Sequence, residues 1–256
     1  LGVALIVGAI WFGVTKGSQY LVPHLPRTWD AKLGEVAIKT MVDEDNPCAG
    51  TAMEDWVKEV GPKLVAVTDT EPFEFHWFII DDETPNAFAL PGGWVGVHRG
   101  LFALAKRPEE VAGVLAHEII HAQRRHGMAR VVGSVGIHLI MTMVFGGGDL
   151  ALLADGGMNL LMLKHSRTQE EEADELGREL MVRAGMDPEG MATMFEALGE
   201  STPNGQTIPT WFSSHPDTQA RAAAARQGEM PNPVIKLPSL PPATCVKEPA
   251  DNGSTQ

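Results

Sequence analysis

The chain of 256 residues has little positive charge, little cysteine and little tyrosine. Its 20 lysine and arginine residues stand against 33 aspartate and glutamate residues. The formal net charge of −13 argues against nucleic acid as a partner, because phosphate binding needs a basic surface. Two cysteines are too few for a disulfide scaffold or a four-cysteine zinc site. The hydrophobic content of 44% is nevertheless too high for a disordered chain.

The ends of the chain differ in composition from its middle. The first 14 residues are apolar and uncharged, and since a membrane span needs about 20 such residues, we interpret residues 1–15 as a truncated membrane anchor. The tail of a cleaved signal peptide and a buried helix are the alternatives. Residues 16–47 are predicted to form a connecting arm and residues 48–228 the main domain. Residues 229–256 hold six of the 18 prolines and are predicted to be a tail that lies on the domain or is disordered.

Short runs rich in β-branched and aromatic residues predict strands in the first part of the main domain. They lie at residues 64–68, 74–80, 86–90 and 94–98, and the last two flank Pro91-Gly92-Gly93 as a hairpin. A short helix is predicted at residues 53–64, broken at Gly61-Pro62.

Helices are predicted through the rest of the domain. Prolines and N-capping side chains mark their starts, and glycines mark their ends. The predicted bounds are 108 to about 126, 168 to about 184, 188 to 199 and 216 to 228. Strands followed by helices favour an α+β fold that is mainly helical and has a small β-sheet.

The segment His117-Glu118-Ile119-Ile120-His121 falls within the first of these helices. Residues four apart lie on one face of a helix, so both imidazoles can reach one Zn²⁺ ion. Glu118 can then act as the general base that takes a proton from the attacking water. The alternative is a coincidental match, but burying these side chains in an apolar helix would be costly without a metal or partners.

A third protein ligand is needed. In one class of zinc peptidases a histidine six residues after the motif supplies it, but that position is Gly127. His126 is predicted to face solvent, because at 100° per residue it lies opposite the first motif histidine. Glu170 on the next helix is the remaining candidate, and Asp174 on the same face can accept the spare N–H of a ligand imidazole. The alternative is that Glu170 binds no metal and belongs to a solvated acidic first turn of the helix.

The segments HEIIH and SRTQEEEAD together resemble the gluzincin-type membrane metallopeptidase family over about residues 48–228. That family includes the CAAX prenyl endopeptidase, a bacterial heat-shock membrane protease, a mitochondrial inner-membrane quality-control protease and periplasmic proteases that police outer-membrane assembly. The resemblance implies a zincin-like domain with one Zn²⁺ ion per chain and an edge strand beside the active-site cleft. It implies the metal ligands His117, His121 and Glu170, with Glu118 as the base and Asp174 as the partner of a ligand imidazole.

A late His-Pro pair with an arginine six residues after the histidine extends the resemblance, here at His215 and Arg221. In the family these side chains lie over the metal and stabilise the transition state, or the histidine occupies the zinc and keeps the enzyme latent. Peptide hydrolysis builds negative charge on the carbonyl oxygen, so a donor must be aimed there. The single tyrosine, Tyr20, lies in the arm, which favours His215 or Arg221 as that donor. The alternatives are a helix N-cap for His215 and a surface ion pair for Arg221.

Three further features concern substrate binding, contact with a membrane and a disulfide. Asn86 and Ala87 are predicted to lie on the edge strand and to pair with an extended substrate, with ordinary sheet structure as the alternative. Residues 131–145 are predicted to be a buried or membrane-dipping helix, with a second membrane span as the alternative. Cys48 and Cys245 are predicted to form a disulfide if the chain faces an oxidising compartment, and two unrelated thiols are the alternative.

Together these features predict a membrane-anchored zinc endopeptidase that hydrolyses misfolded or mis-assembled envelope proteins. The predicted location is an oxidising compartment, either the bacterial periplasm or the mitochondrial intermembrane space. The expected partners are peptide substrates and, through the anchor, a membrane. The alternative function is a zinc-stabilised assembly factor or chaperone with a latent peptidase site. A prenyl-protein processing enzyme is disfavoured, because it would need several more membrane spans.

Overall fold

A computed structural model describes the fold at residues 17, 20–42, 45–69, 74–134, 164–201, 211, 214–215, 218–226 and 230–246. Within these residues the chain is mainly helical with one small mixed sheet, which confirms the predicted α+β class. No helix in these ranges is both long and apolar enough to cross a bilayer. The predicted anchor, residues 1–15, lies outside them, as do residues 135–145 of the helix predicted to dip into a membrane.

The sheet has three strands, β1 at His76–Ile80, β2 at Ala87–Leu90 and β3 at Trp94–His98. Their order is β1-β3-β2, so β2 is an edge strand. β2 and β3 form the predicted antiparallel hairpin, whereas β1 runs parallel to β3. Gly92 and Gly93 close the hairpin with φ angles of 85° and 90°, which residues with a Cβ atom rarely adopt.

Helices packed around one central helix form the rest of the fold. They are α1 at Arg27–Met41, α2 at Ala52–Val65, α3 at Arg99–Leu104, α4 at Pro108–Gln123, α5 at Arg167–Arg183, α6 at Glu189–Glu200 and α7 at Thr218–Ala225. Residues 126–134 are also helical. The central helix is α4, which packs against α5, α6 and β2, while α7 packs against α6. Leu115 and Ile119 of α4, Leu180 of α5 and Phe195 of α6 belong to the fully buried core.

Helix α2 differs from its prediction. It continues through Pro62 to Val65, so the expected break and the strand predicted at residues 64–68 are wrong. Proline lacks a backbone N–H, but near a helix end that loss removes a single hydrogen bond. Trp56, Val60 and Leu64, four residues apart, are all buried, and burial of this apolar face stabilises the helix across the proline.

The predicted connecting arm contains α1, which packs on the sheet. Ala37 and Ile38 of α1 lie in one apolar cluster with Phe78 and Phe88 of the strands. A buried ion pair fixes the start of the helix, because Nη2 of Arg125 lies 2.5 Å from Oδ2 of Asp30. The arm is thus folded against the domain within the described residues.

The described part of the proline-rich tail, residues 230–246, lies on the domain. The backbone N–H of Ile235 donates to the carbonyl of Gly185 at 2.7 Å, and Nε1 of Trp56 donates to the carbonyl of Pro238 at 3.1 Å. Cys245 is joined to Cys48 by a disulfide, with the two Cα atoms 4.4 Å apart. The division into anchor, arm, domain and tail at residues 15, 47 and 228 remains a prediction.

Candidate metal centre

Helix α4 carries the HExxH segment into the core. Pro108 occupies its first turn, and the Glu110 carboxylate accepts hydrogen bonds from the backbone N–H groups of Lys106 at 2.6 Å and Arg107 at 3.3 Å. These contacts fix the start of the helix. Every residue from 110 to 123 is buried, so the polar side chains on this part of the helix need partners inside the protein.

Four side chains converge at the middle of α4. The Nε2 atoms of His117 and His121 lie 2.9 Å apart. Glu170 of α5 faces them, with Oε1 3.4 Å from Nε2 of His121 and Oε2 3.7 Å from Nε2 of His117. His215 completes the group, with Nδ1 3.3 Å from Nε2 of His117 and 3.0 Å from Oε1 of Glu170. None of the four is more than 2% exposed. The structure therefore brings the three predicted ligands together with His215.

This set of atoms fits a zinc ion. Imidazole nitrogen and carboxylate oxygen are atoms that Zn²⁺ takes as ligands. Burial, with the neighbouring His117 ring, holds the pKa of His121 well below its usual range. Burial alone would raise the pKa of Glu170, but the neighbouring His215 ring and the hydrogen bonds from His121 and His215 hold it well below its usual range. Neutral imidazole and ionised carboxylate are the forms that bind a metal.

Helix α5 carries the predicted ligand Glu170 and, one turn later, Asp174. The helix begins with a capping box, in which Ser166 and Gln169 each accept a hydrogen bond from the backbone of the other, at 3.3 and 3.1 Å. Oδ1 of Asp174 lies 3.0 Å from Nδ1 of His117, on the side of the ring that faces away from the cluster. A Cβ atom at Gly177 would lie 3.2 Å from the backbone nitrogen of His117. Gly177 therefore allows the close approach of α5 to α4.

Glu118 and Trp211 lie next to His215. The Glu118 carboxylate is 1% exposed, and its Oε1 lies 3.4 Å from Nε2 of His215. Within the described part of the chain, this oxygen has no hydrogen-bond partner. Trp211 stacks on the His215 ring, with centroids 4.1 Å apart and planes 23° apart. The ring of His215 is thus held between Trp211 and the polar cluster.

Arg221 of α7 contacts two carboxylates of the centre. Its Nε and Nη2 donate to Asp174 at 2.6 and 2.7 Å, and its Nη1 donates to Glu170. The guanidinium also lies over the Phe195 ring, 4.8 Å from the centroid. The acids that it contacts are buried, in contrast to the surface ion pair of the alternative interpretation. These contacts suit a residue that orients carboxylates, and the predicted role of Arg221 as an oxyanion donor remains a prediction.

A second group of histidines behind His121 was not foreseen. His126 is only 5% exposed, so its predicted orientation toward solvent is wrong. The prediction carried α4 through residue 126, but the helix ends at Gln123 and Arg125 has a φ of 56°, so the helical angle per residue no longer applies. His165 is also buried, with its ring centroid 3.7 Å from that of His121.

Arg130, for which no role was predicted, is subject to the electrostatic effect of two carboxylates of the centre. Burial lowers the pKa of its guanidinium to about 10, against the opposing effect of the Glu118 and Glu170 carboxylates. The signal that could have revealed it is the group of arginines directly after the HExxH helix, which a turn would fold back toward the ligands. Such a turn is present at Arg124 and Arg125.

Asn86 and Ala87 lie at the start of the edge strand β2, which packs against α4. The carbonyl of Asn86 accepts a hydrogen bond of 2.9 Å from the backbone N–H of His98, which joins it to β3. Both side chains are buried. The predicted neighbourhood of the edge strand and the metal helix is therefore present, and pairing with a substrate remains a prediction.

A buried HExxH helix that meets a glutamate from a later helix, in an α+β fold, is the arrangement of a metallopeptidase of the gluzincin type. The sequence profile described as peptidase family M48 matches residues 51–229, and the chain belongs to this family. The resemblance inferred from HEIIH and SRTQEEEAD is thereby confirmed.

Individual relatives are named as proteases. The beta-barrel assembly-enhancing protease of Escherichia coli (strain K12) is 31% identical over 184 residues, which cover 67% of this chain and 38% of the relative. The mitochondrial metalloendopeptidase OMA1 of Schizosaccharomyces pombe is 32% identical over 168 residues, which cover 65% of this chain and 50% of the relative. The metalloprotease YcaL of Escherichia coli (strain K12) is 31% identical over 150 residues, 55% of this chain and 57% of the relative. The chain thus spans half or less of the length of the first two relatives.

Proposed function

We propose that the chain is a zinc-dependent endopeptidase that binds one Zn²⁺ ion through His117, His121 and Glu170. The convergence of these buried ligand atoms carries the proposal, since the two Nε2 atoms lie 2.9 Å apart and each has a Glu170 oxygen within 3.7 Å. Membership of peptidase family M48 supports a metal at this place. The chemistry of the remaining side chains supports peptide hydrolysis.

Glu118 and His215 each have a step in this reaction. When bound, zinc supplies a Lewis acid that polarises the scissile carbonyl and activates a water. Glu118 takes a proton from the attacking water and later delivers it to the leaving amine. Nε2 of His215 faces Glu118 at 3.4 Å, so the ring lies on the side where the general base acts and can donate to the developing oxyanion.

The contacts of His215 also support a latent resting form. Its Nδ1 lies 3.0 and 3.1 Å from the two Glu170 oxygens and 3.3 Å from Nε2 of His117, in the place of a fourth ligand. In this form the ring has to move before a substrate carbonyl can approach. The second candidate function, an assembly factor or chaperone with a latent peptidase site, corresponds to a protein in which His215 stays in this place.

The proposed substrates are misfolded or mis-assembled envelope proteins, because one relative is named for enhancing β-barrel assembly. Asn86 and Ala87 at the start of the edge strand would pair with an extended substrate backbone, which gives modest sequence specificity. The disulfide between Cys48 and Cys245 supports an oxidising compartment. We propose the bacterial periplasm or the mitochondrial intermembrane space, with residues 1–15 as the membrane anchor.

The substitution Glu118→Gln tests the proposed reaction. We expect the variant to keep one zinc ion and to cleave casein at least about 100-fold more slowly than the parent, the scale of a lost general base. Glu175→Gln on α5 is the matched control, because that side chain is exposed, and its rate should equal that of the parent. Equal rates for Glu118→Gln and the parent, with zinc present in both, would contradict the proposal.

The same variant separates the two candidate functions in cells. If hydrolysis is the function, Glu118→Gln should fail to restore the phenotype of a strain that lacks the gene, although the protein is folded and holds zinc. Full restoration by this variant would favour the assembly factor or chaperone, for which the general base is not needed.

A further inference from the structure

A chain of hydrogen bonds leads from His121 to the surface. Nδ1 of His121 faces away from the metal cluster and lies 2.9 Å from Nδ1 of His126. Nε2 of His126 lies 3.2 Å from Oε2 of Glu172. The other Glu172 oxygen lies 3.0 Å from Nε of Arg124. We infer that His126 and Glu172 are positioning residues, which fix the tautomer and the orientation of His121 for metal binding.

The inference follows from the proton count of the two rings. A neutral imidazole has one N–H group and one unprotonated nitrogen. If Nε2 of His121 binds the metal, its proton lies on Nδ1 and can be donated only to an acceptor, so Nδ1 of His126 must be unprotonated. The proton of His126 then lies on Nε2, where the Glu172 carboxylate accepts it. Every donor in the chain therefore has an acceptor, and each contact supports the same tautomer of His121.

The two motif histidines are thus held by different groups. Asp174 lies 3.0 Å from Nδ1 of His117, and Arg221 fixes the Asp174 carboxylate. For His121 a histidine takes the place of the aspartate, and Glu172 fixes that histidine. A ligand imidazole almost always donates its second N–H in this way, which sets the ring angle and raises its basicity.

A second metal ion is the competing explanation for the histidines behind His121. One ring nitrogen from each of His121, His126 and His165 lies within 4.8 Å of the others. A second ion there would have to take Nδ1 of His121 while Nε2 binds the first ion, so the ring would have to lose both protons. A hydrogen bond between neutral rings needs no such loss, and the Glu172 carboxylate is in place to accept the proton of His126. These contacts favour one ion and a positioning role for His126.

The inference rests on the proposed zinc site, and zinc affinity tests it without any measurement of peptidase activity. Zinc affinity is measured by competition with a chelator at fixed pH, and zinc content by elemental analysis. We expect His126→Leu to lower the affinity by about 10- to 100-fold, the usual effect of losing such a partner. His126→Asn should restore most of the affinity, because its amide oxygen can accept the proton of His121. If His126 had a merely structural role, the zinc affinities of His126→Leu and His126→Asn would not differ in this way.

Glu172 provides a test that does not disturb the core, because its side chain is 39% exposed. We expect Glu172→Ala to lower zinc affinity, whereas Glu171→Ala, on the exposed neighbouring residue, should bind zinc as the parent does. Melting temperatures of the metal-free proteins show whether each variant is folded.

The inference would be overturned if His126→Leu and Glu172→Ala were both folded and both bound zinc with the affinity of the parent. Two zinc ions per parent chain, with one lost in His126→Leu, would also overturn it in favour of a second metal site. A parent chain that binds no zinc would overturn the proposed function and, with it, this inference.

Discussion

Nε2 of His215 lies 3.4 Å from Oε1 of Glu118, while Nδ1 of the same ring lies among the predicted metal ligands. One side chain thus contacts both the predicted general base and the predicted zinc site. His215 is 98 residues from His117 along the chain, and Trp211 holds its ring in place by stacking. In the proposed zinc enzyme, the position of this ring would determine whether a substrate or a small chelator reaches the metal.

The first prediction is that His215→Ala makes the bound zinc easier to remove. Because a chelator must occupy a coordination position before it extracts the ion, loss of the ring proposed to take the fourth position should accelerate zinc release. The measurement is the rate of zinc transfer to a coloured chelator in excess. His98→Ala is a control histidine on β3, for which we expect the parent rate. An unchanged rate in His215→Ala would show that the ring does not cover the metal in solution.

The second prediction concerns Arg221. Because this buried guanidinium lies between the Asp174 and Glu170 carboxylates, its loss leaves buried negative charge uncompensated. We expect Arg221→Met to lower the free energy of unfolding by about 3–5 kcal/mol, the usual effect of removing one partner from a buried ion pair. Urea unfolding of the zinc-loaded protein measures it.

Arg226 is the matched control for this substitution. Its side chain is 43% exposed and pairs with Glu189 and Glu196 at the surface, where ion pairs contribute little to stability. Arg226→Met should therefore unfold close to the parent. If the two methionine variants unfold alike, Arg221 does not compensate the Asp174 and Glu170 carboxylates.

The third prediction is that removing zinc lowers the melting temperature of the fold. Four side chains that are at most 2% exposed converge at the proposed site, and in the metal-free protein they lose the ion that would hold them together. A ligand that binds only the native state contributes about 4 kcal/mol when its free concentration is 1,000 times its dissociation constant. The melting temperature should therefore rise with free zinc and fall to a constant value in excess chelator. His117→Ala should melt at a temperature that does not depend on zinc, and a parent protein with the same behaviour would contradict the prediction.

Sequence spacing predicted the parts of the centre that lie on one helix. His117 and His121 share a face of α4, and Glu170 and Asp174 share a face of α5, because four residues make about one helical turn. The same rule failed for His126, since the helix ends at Gln123 and Arg125 takes a left-handed conformation. A spacing rule holds only within one regular element, and the sequence offered no signal for where α4 would end other than the glycine that follows.

Some contacts between distant segments were beyond the reach of sequence patterns. The approach of His215 to the ligands and the pairing of Arg125 with Asp30 depend on how whole helices pack, because the partners are 98 and 95 residues apart. The resemblance to a known family and the need for an oxyanion donor indicated a role for His215 at the centre, but neither gave these contacts. The helix break predicted at Pro62 was wrong for a different reason. A local signal for a break was present, but the burial of Trp56 on the apolar face of the helix outweighed it.

The last prediction is that the disulfide between Cys48 and Cys245 stabilises the domain by restricting the unfolded chain. The two residues are 197 positions apart, so the bond closes a long loop and holds the tail against the domain. We expect the double variant Cys48→Ala and Cys245→Ala to lose about 2–5 kcal/mol of unfolding free energy, the usual effect of removing a native disulfide. Guanidinium unfolding with and without a reductant measures this loss. The reductant should destabilise the parent to a similar extent and leave the double variant unchanged. A parent that is insensitive to complete reduction, checked by counting free thiols, would show that the bond contributes nothing to stability.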